Sequence, residues 1–80
     1  MNRKRKIRQI RKNIMRLGEI TRVEVLNKDD DGKLYPKKEW GYCVGALVNG
    51  YAITAYDDSW YEAYKGCLWC AEWAAKQCPR

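Results

Sequence analysis

Trp40-Gly41-Tyr42-Cys43-Val44-Gly45-Ala46-Leu47-Val48-Asn49-Gly50-Tyr51-Ala52-Ile53-Thr54-Ala55-Tyr56 is the stretch that decides the fold. Two β-prone runs flank Asn49-Gly50, the pair that best tolerates the positive φ angles of a two-residue type I′ hairpin turn. A loop that short fixes the register. Val48 then opposes Tyr51, Ala46 opposes Ile53 and Val44 opposes Ala55. With Tyr42 and Trp40 these residues form one apolar face, the larger and more β-branched one, assigned to the core. Cys43, Gly45, Leu47, Ala52, Thr54 and Tyr56 form the other face, which is small and half-apolar. The strands expected are Trp40 to Val48 and Tyr51 to Tyr56.

Downstream, Asp57-Asp58-Ser59 leads into Trp60-Tyr61-Glu62. Ser59 with Glu62 three residues on reads as a capping box, and the acidic pair suits a helix N-terminus. The helix is expected from Trp60 to about Lys76, with Pro79 beyond its stop. At about 100° per residue, Trp60, Ala63, Tyr64, Cys67, Leu68, Cys70, Ala71, Ala74 and Ala75 fall in one arc, the core face. Glu62, Lys65, Glu72, Lys76 and Gln77 fall opposite, and so do Trp69 and Trp73. Two tryptophans at i and i+4 are neighbours on the helix surface. On a polar face they mark a contact with something else, either a partner or a segment of the chain folded over them.

Upstream, Thr21, Val23 and Val25 alternate with Arg22, Glu24 and Leu26, which reads as a first strand. The polar segment from Asn27 to Lys33 follows, with Asp31-Gly32 as its turn signal, and Pro36 delays the second strand. Before the strand, Ile7, Ile10, Ile14 and Leu17 are spaced three, four and three apart, one face of a helix that Gly18 stops. A helix this short is marginal alone, so its stripe must dock, first of all on the chain's own sheet. The same spacing would also suit a homodimeric seam. The architecture expected is α+β in one domain spanning 1–80. It comprises a basic amphipathic helix over 1–18, a three-stranded antiparallel sheet over 20–56 and a C-terminal helix over 59–77, with both helices on one sheet face.

Eighty residues allow one small core. The chain is 46% hydrophobic and 32% charged, a globular rather than a disordered balance. No apolar run approaches the roughly 20 residues of a membrane span. The basic start has no continuous apolar stretch of the kind a secretory signal needs, so a cytoplasmic location is expected. The net charge of +6 is uneven: residues 1–22 carry nine cations against Glu19 alone, and the rest is slightly acidic. The candidate contacts for a polyanion or an acidic partner are therefore Arg3, Lys4, Arg5, Lys6, Arg8, Arg11, Lys12 and Arg16. Histidine is absent, which removes the commonest general base and metal ligand. Phenylalanine is absent too, while four Trp and six Tyr are present, aromatic types that interfaces favour.

Cys67-Leu68-Trp69-Cys70 is a Cys-x-x-Cys pair, and Cys43 and Cys78 bring the thiols to four. Four thiolates would suit zinc. This pair lies inside a helix rather than on a turn, and two turns from the helix start where the dipole would activate a redox thiol. The cysteines therefore read as small buried hydrophobes, and no cofactor is expected. No phosphate loop, nucleophile elbow or calcium-loop spacing accompanies them, and Asp29, Asp30 and Asp31 lack the spacing and closing Glu of a calcium site. No enzymatic activity is expected.

The order helix, three antiparallel strands, helix resembles the double-stranded-RNA-binding domain, most closely from Trp40 to Lys76. The family reads RNA with a Gly-Pro-x-His loop and a Lys-Lys-x-Ala-Lys run. Here those places hold Asp29-Asp30-Asp31-Gly32 and Asp57-Asp58-Ser59-Trp60-Tyr61-Glu62, whose charge would repel a phosphate backbone. As a class, small Trp- and Tyr-rich chains without catalytic groups resemble phage-encoded inhibitors of host nucleases, anti-CRISPR proteins among them. That resemblance implies docking on a host nucleoprotein or nuclease complex, with Trp69, Trp73 and Tyr61 as anchors and the basic helix as the second contact. A free nucleic-acid-binding module using the same cations and stacking aromatics is the alternative reading, and a homodimeric adaptor a further one.

Overall fold

The structure is a computed structural model that describes residues 2–25 and 41–77. The Asp29–Gly32 loop, Pro36, Trp40, Cys78 and Pro79 lie outside the described residues. The first helix, α1, is Arg3–Leu17. The strands β1 (Glu19–Val25), β2 (Tyr42–Val48) and β3 (Tyr51–Asp57) form one antiparallel sheet in that order, and α2 is Trp60–Ala75. The fold is α+β, as expected.

The hairpin has the register its turn dictates, with Val48 opposite Tyr51, Ala46 opposite Ile53 and Val44 opposite Ala55. Asn49 and Gly50 both take positive φ, 53° and 84°, the conformation that a type I′ turn requires and that Asn and Gly adopt most readily. Val44, Ala46, Val48 and Ile53 on one face meet Ala63, Tyr64, Cys67, Ala71 and Ala74 of α2 in the core. The small residues of α2 let it lie close across β2 and β3. Ser59 Oγ accepts from the Glu62 N–H at 3.2 Å, so the N-cap forms, while the Glu62 carboxylate lies 3.8 Å from Lys65. Ala75, placed on the core arc by the helical wheel, is exposed at the last residue of α2, while Ala74 beside it is buried.

Two features differ from the sequence reading. The stripe of α1 does pack into the core, with Ile14 fully buried, but α1 leans chiefly on α2 and only grazes β1. β1 begins two residues early and carries a β-bulge: Ile20 opposes Ala46, Arg22 opposes Gly45, and the register shifts between them. Val23 and Val25 sit on the helical side of the sheet, beyond α1's reach, and remain exposed.

The two helices run parallel. Asn2 caps the start of α1, its side chain accepting from the Arg5 N–H at 2.9 Å. At the other end Gly18 abuts the Leu47 carbonyl, and a Cβ there would come within 2.7 Å of Val48 Cγ2. Its φ of −173° is ordinary extended backbone, so close approach rather than a left-handed cap is what glycine supplies. Asn49 Nδ2 donates to the carbonyls of Ala74 at 3.1 Å and Gln77 at 2.9 Å. Both helices therefore end at the hairpin turn, and both start at the opposite end of the sheet.

Candidate binding surface

The eight cations of α1 are all exposed, but the helix sorts them into two sets. Lys4, Arg8, Lys12 and Arg16 recur every fourth residue, which stacks them on one outer ridge about 18 Å long at 1.5 Å per residue. Arg5 stands beside this ridge. Among the described residues none of these five has an ion pair.

The remaining cations turn toward α2. The Arg3 guanidinium lies 5.4 Å and the Lys6 ammonium 5.6 Å from the centre of the Tyr61 ring. Lys65 approaches the same ring at 5.0 Å. Arg11 Nη1 donates to the Tyr64 hydroxyl at 3.3 Å. Tyr61, expected with Trp69 and Trp73 as an anchor, is thus half-buried between the helices and gathers cations. The parallel packing of α1 reveals what stands over Tyr61.

The other aromatic pair is open. Trp69 is 72% exposed and Trp73 52%. Neither α1 nor any other described residue folds over them. With Glu72 and Lys76 they frame a shallow hollow. The Trp73 ring meets Tyr51 of β3 edge-on, with centroids 5.2 Å apart. The sequence reading gave Tyr51 to the core, whereas its place at the last rung of the hairpin sets it beside the final turn of α2. That turn is held in place: Gln77 Nε2 donates to the Trp73 carbonyl at 3.0 Å, and Asn49 binds the next carbonyl.

Tyr61, Tyr64 and Leu68 mark the flank of α2 that faces α1, while Trp73 lies well round from them, above Tyr51 on the β3 side. Trp69 projects outward between the two flanks. A partner that touches both the cationic ridge and Trp73 must therefore span the outside of the helical layer.

Two of the thiols are shielded by burial. Cys43 and Cys67 are fully buried and Cys70 half-buried, all free. Burial pushes the Cys67 thiol up to about 11, and burial also raises Cys43. Cys43 projects from the face of β2 opposite Val44, away from α2. Among the described residues no three cysteines or carboxylates converge on a metal-sized site. A cleft of about 460 Å³ between α1 and β1 is lined by Arg11, Met15, Ile20, Arg22 and Val23, with the Arg22 guanidinium already paired to Glu24. No described helix is long and apolar enough to cross a membrane. No protein-family model, curated protein or solved structure matches this chain.

Proposed function

We propose that this chain is a non-catalytic binding protein that docks on a nucleoprotein, in the manner of a small phage-type inhibitor of a nuclease or guide-RNA complex. One observation carries the reading: two solvent-open tryptophans, one of them braced by Tyr51, share a helical layer with a ridge of exposed cations that lies on the far flank of α2 from Trp73. Cations on a ridge bind phosphates through counterion release, with little sequence preference. Exposed tryptophans gain most when a partner pocket takes them out of water. A single strand that tracked α1 would have to cross α2 to stack on Trp73, so a small nucleic-acid ligand does not use both surfaces. A composite partner, nucleic acid on one side and protein on the other, does. The alternative reading, a free single-strand binder, draws support from the one-turn spacing of Trp69 and Trp73, which suits successive base stacking.

The test compares wild type with Trp69→Ala/Trp73→Ala and with Arg8→Glu/Lys12→Glu/Arg16→Glu. Each is titrated against single-stranded DNA, duplex DNA, duplex RNA, and guide-loaded and unloaded nuclease complexes across a salt series. Docking predicts capture of a loaded complex that either variant abolishes, with isolated nucleic acids held only weakly near physiological salt. Sub-micromolar binding of an isolated nucleic acid with a steep salt slope, untouched by the tryptophan variant, would refute it.

A further inference from the structure

We infer that the junction of the two helix starts is a binding site for a phosphate monoester, the phosphorylated end of a nucleic-acid strand, gripped by Arg3, Lys6 and Lys65 around Tyr61. The site is separate from the outer ridge of α1. It rests on the reading that α1 engages nucleic acid, and it assigns that contact its most specific part.

Three cations from two helices converge on one aromatic ring, at 5.4, 5.6 and 5.0 Å from its centre. One ring has two faces and a limited negative quadrupole, so it does not neutralise three positive charges. The one carboxylate paired there is Glu62, 3.8 Å from Lys65. Among the described residues Arg3 and Lys6 have no ion pair. Three cations within 5.0–5.6 Å of one ring centre, against one paired carboxylate, leave the cluster net positive, which suits a dianion. The ridge spreads its charge along a line, which suits a phosphodiester backbone.

The backbone reinforces this on the α1 side. The first turn of α1 holds no acidic residue, so beyond the Asn2 cap on the Arg5 N–H its positive dipole end is unopposed by a carboxylate of its own. The start of α2 is different. Glu62 lies in its first turn, and Asp57 and Asp58 precede its cap, with Asp57 Oδ1 accepting from the Asp58 N–H at 2.8 Å. The anion is therefore drawn toward Arg3 and Lys6, with Lys65 as the third cation at the same ring. Arg3 supplies a planar fork matched to phosphate oxygens, and the two lysines supply point charges. Tyr61 is the ring that all three approach.

The experiment measures fluorescence anisotropy of one single-stranded DNA sequence with a 5′-phosphate, a 3′-phosphate, or hydroxyls at both ends, and of a phosphoserine peptide. In wild type, one phosphate-ended strand binds about tenfold tighter than the hydroxyl-ended strand, and the tighter end identifies the one gripped. Arg3→Ala/Lys6→Ala, and independently Lys65→Ala, reduce that ratio to near one. Arg8→Ala/Lys12→Ala weakens all strands alike and leaves the ratio standing. If this ridge variant changes nothing while the ratio persists, the ridge reading fails and the end site stands. Equal binding of phosphate and hydroxyl ends by wild type overturns the end site, as does a phosphopeptide bound more tightly than any strand.

Discussion

Replacing Lys4 and Arg5 with glutamate should make the protein more stable and a poorer binder. Asn2 is the N-cap of α1, so Lys4 and Arg5 are its second and third helical positions. A cation there opposes the macrodipole, and an acid in the same place gains about 0.3–1 kcal/mol when exposed. Lys4 also stands four residues before Arg8, a like-charge pair that costs about 0.2–0.5 kcal/mol, and Lys4→Glu turns it into an attraction of similar size in the favoured orientation. Arg5→Glu places a carboxylate where a capping box would return a hydrogen bond to the cap N–H. These side chains are solvent-exposed, so we take the low end of each range, and the double variant gains about 1–2 kcal/mol in all. In a domain of this size that raises Tm by roughly 4–8 °C per kcal/mol, read by far-UV circular dichroism. The same variant should bind a polyanion with a shallower log–log salt slope, by about one unit for each phosphate that the helix no longer neutralises. A variant less stable than wild type would refute the premise that these cations oppose the fold. A more stable variant with unchanged binding and salt slope would show the ridge to be a merely solvated face.

Two further outcomes follow from the geometry. Asn49→Gly removes two partly exposed hydrogen bonds to the end of α2 and should cost about 1–2 kcal/mol in urea unfolding, while Asn49→Ala adds roughly 1 kcal/mol more for an L side chain at φ 53°; equal costs for the two would refute the backbone part. Cys67 titrates at about 11 folded against 9.0 for an ordinary thiol, so the unfolded chain loses its proton first, and stability should fall by about 2 kcal/mol as pH rises from 9 to 11; Cys67→Ala should flatten that part of the profile, and an unaltered slope would refute the assignment.

The hairpin and α2 were legible because their signals are local. Asn49-Gly50 names its own turn, and Ser59 its own cap. The β1 bulge was not legible from alternation, because a strict period of two carries no mark of an inserted residue. Its signal was across the sheet: Gly45 interrupts β2, and a Cβ there would stand 3.1 Å from Arg22 Cβ, where the register shifts. A glycine inside a strand is where a bulge or a close backbone approach is to be sought. The sorting of the α1 cations was equally hidden. Arg3 lies at nearly the same wheel angle as the buried stripe, and only the parallel neighbour α2 turns that angle into a contact with Tyr61. The face that carries Trp69 and Trp73, by contrast, was readable from the wheel, since their arc also holds Glu62, Glu72 and Lys76; that α1 does not cover them was not.

The two tryptophans do different work on such a surface. Trp73 is fixed before any partner arrives: Tyr51 packs against its ring, and Asn49 and Gln77 hold the backbone that carries it. A side chain already confined gives up little rotamer freedom on binding, which is how rigid aromatic anchors contribute affinity. Among the described residues Trp69 has no ring contact and is 72% exposed, so on the proposed reading it adapts to the contact that Trp73 places. Both depend on one hairpin tip, since Asn49 closes α2 and Tyr51 braces Trp73 from two residues away. The tip that fixes the sheet register therefore also sets the geometry of the aromatic surface, and α1 holds the cations at the far flank through a stripe anchored on Ile14. On the proposed reading, recognition is divided between an apolar half set by Trp73 and a screened ionic half on α1, and salt should tune the second while leaving the first intact.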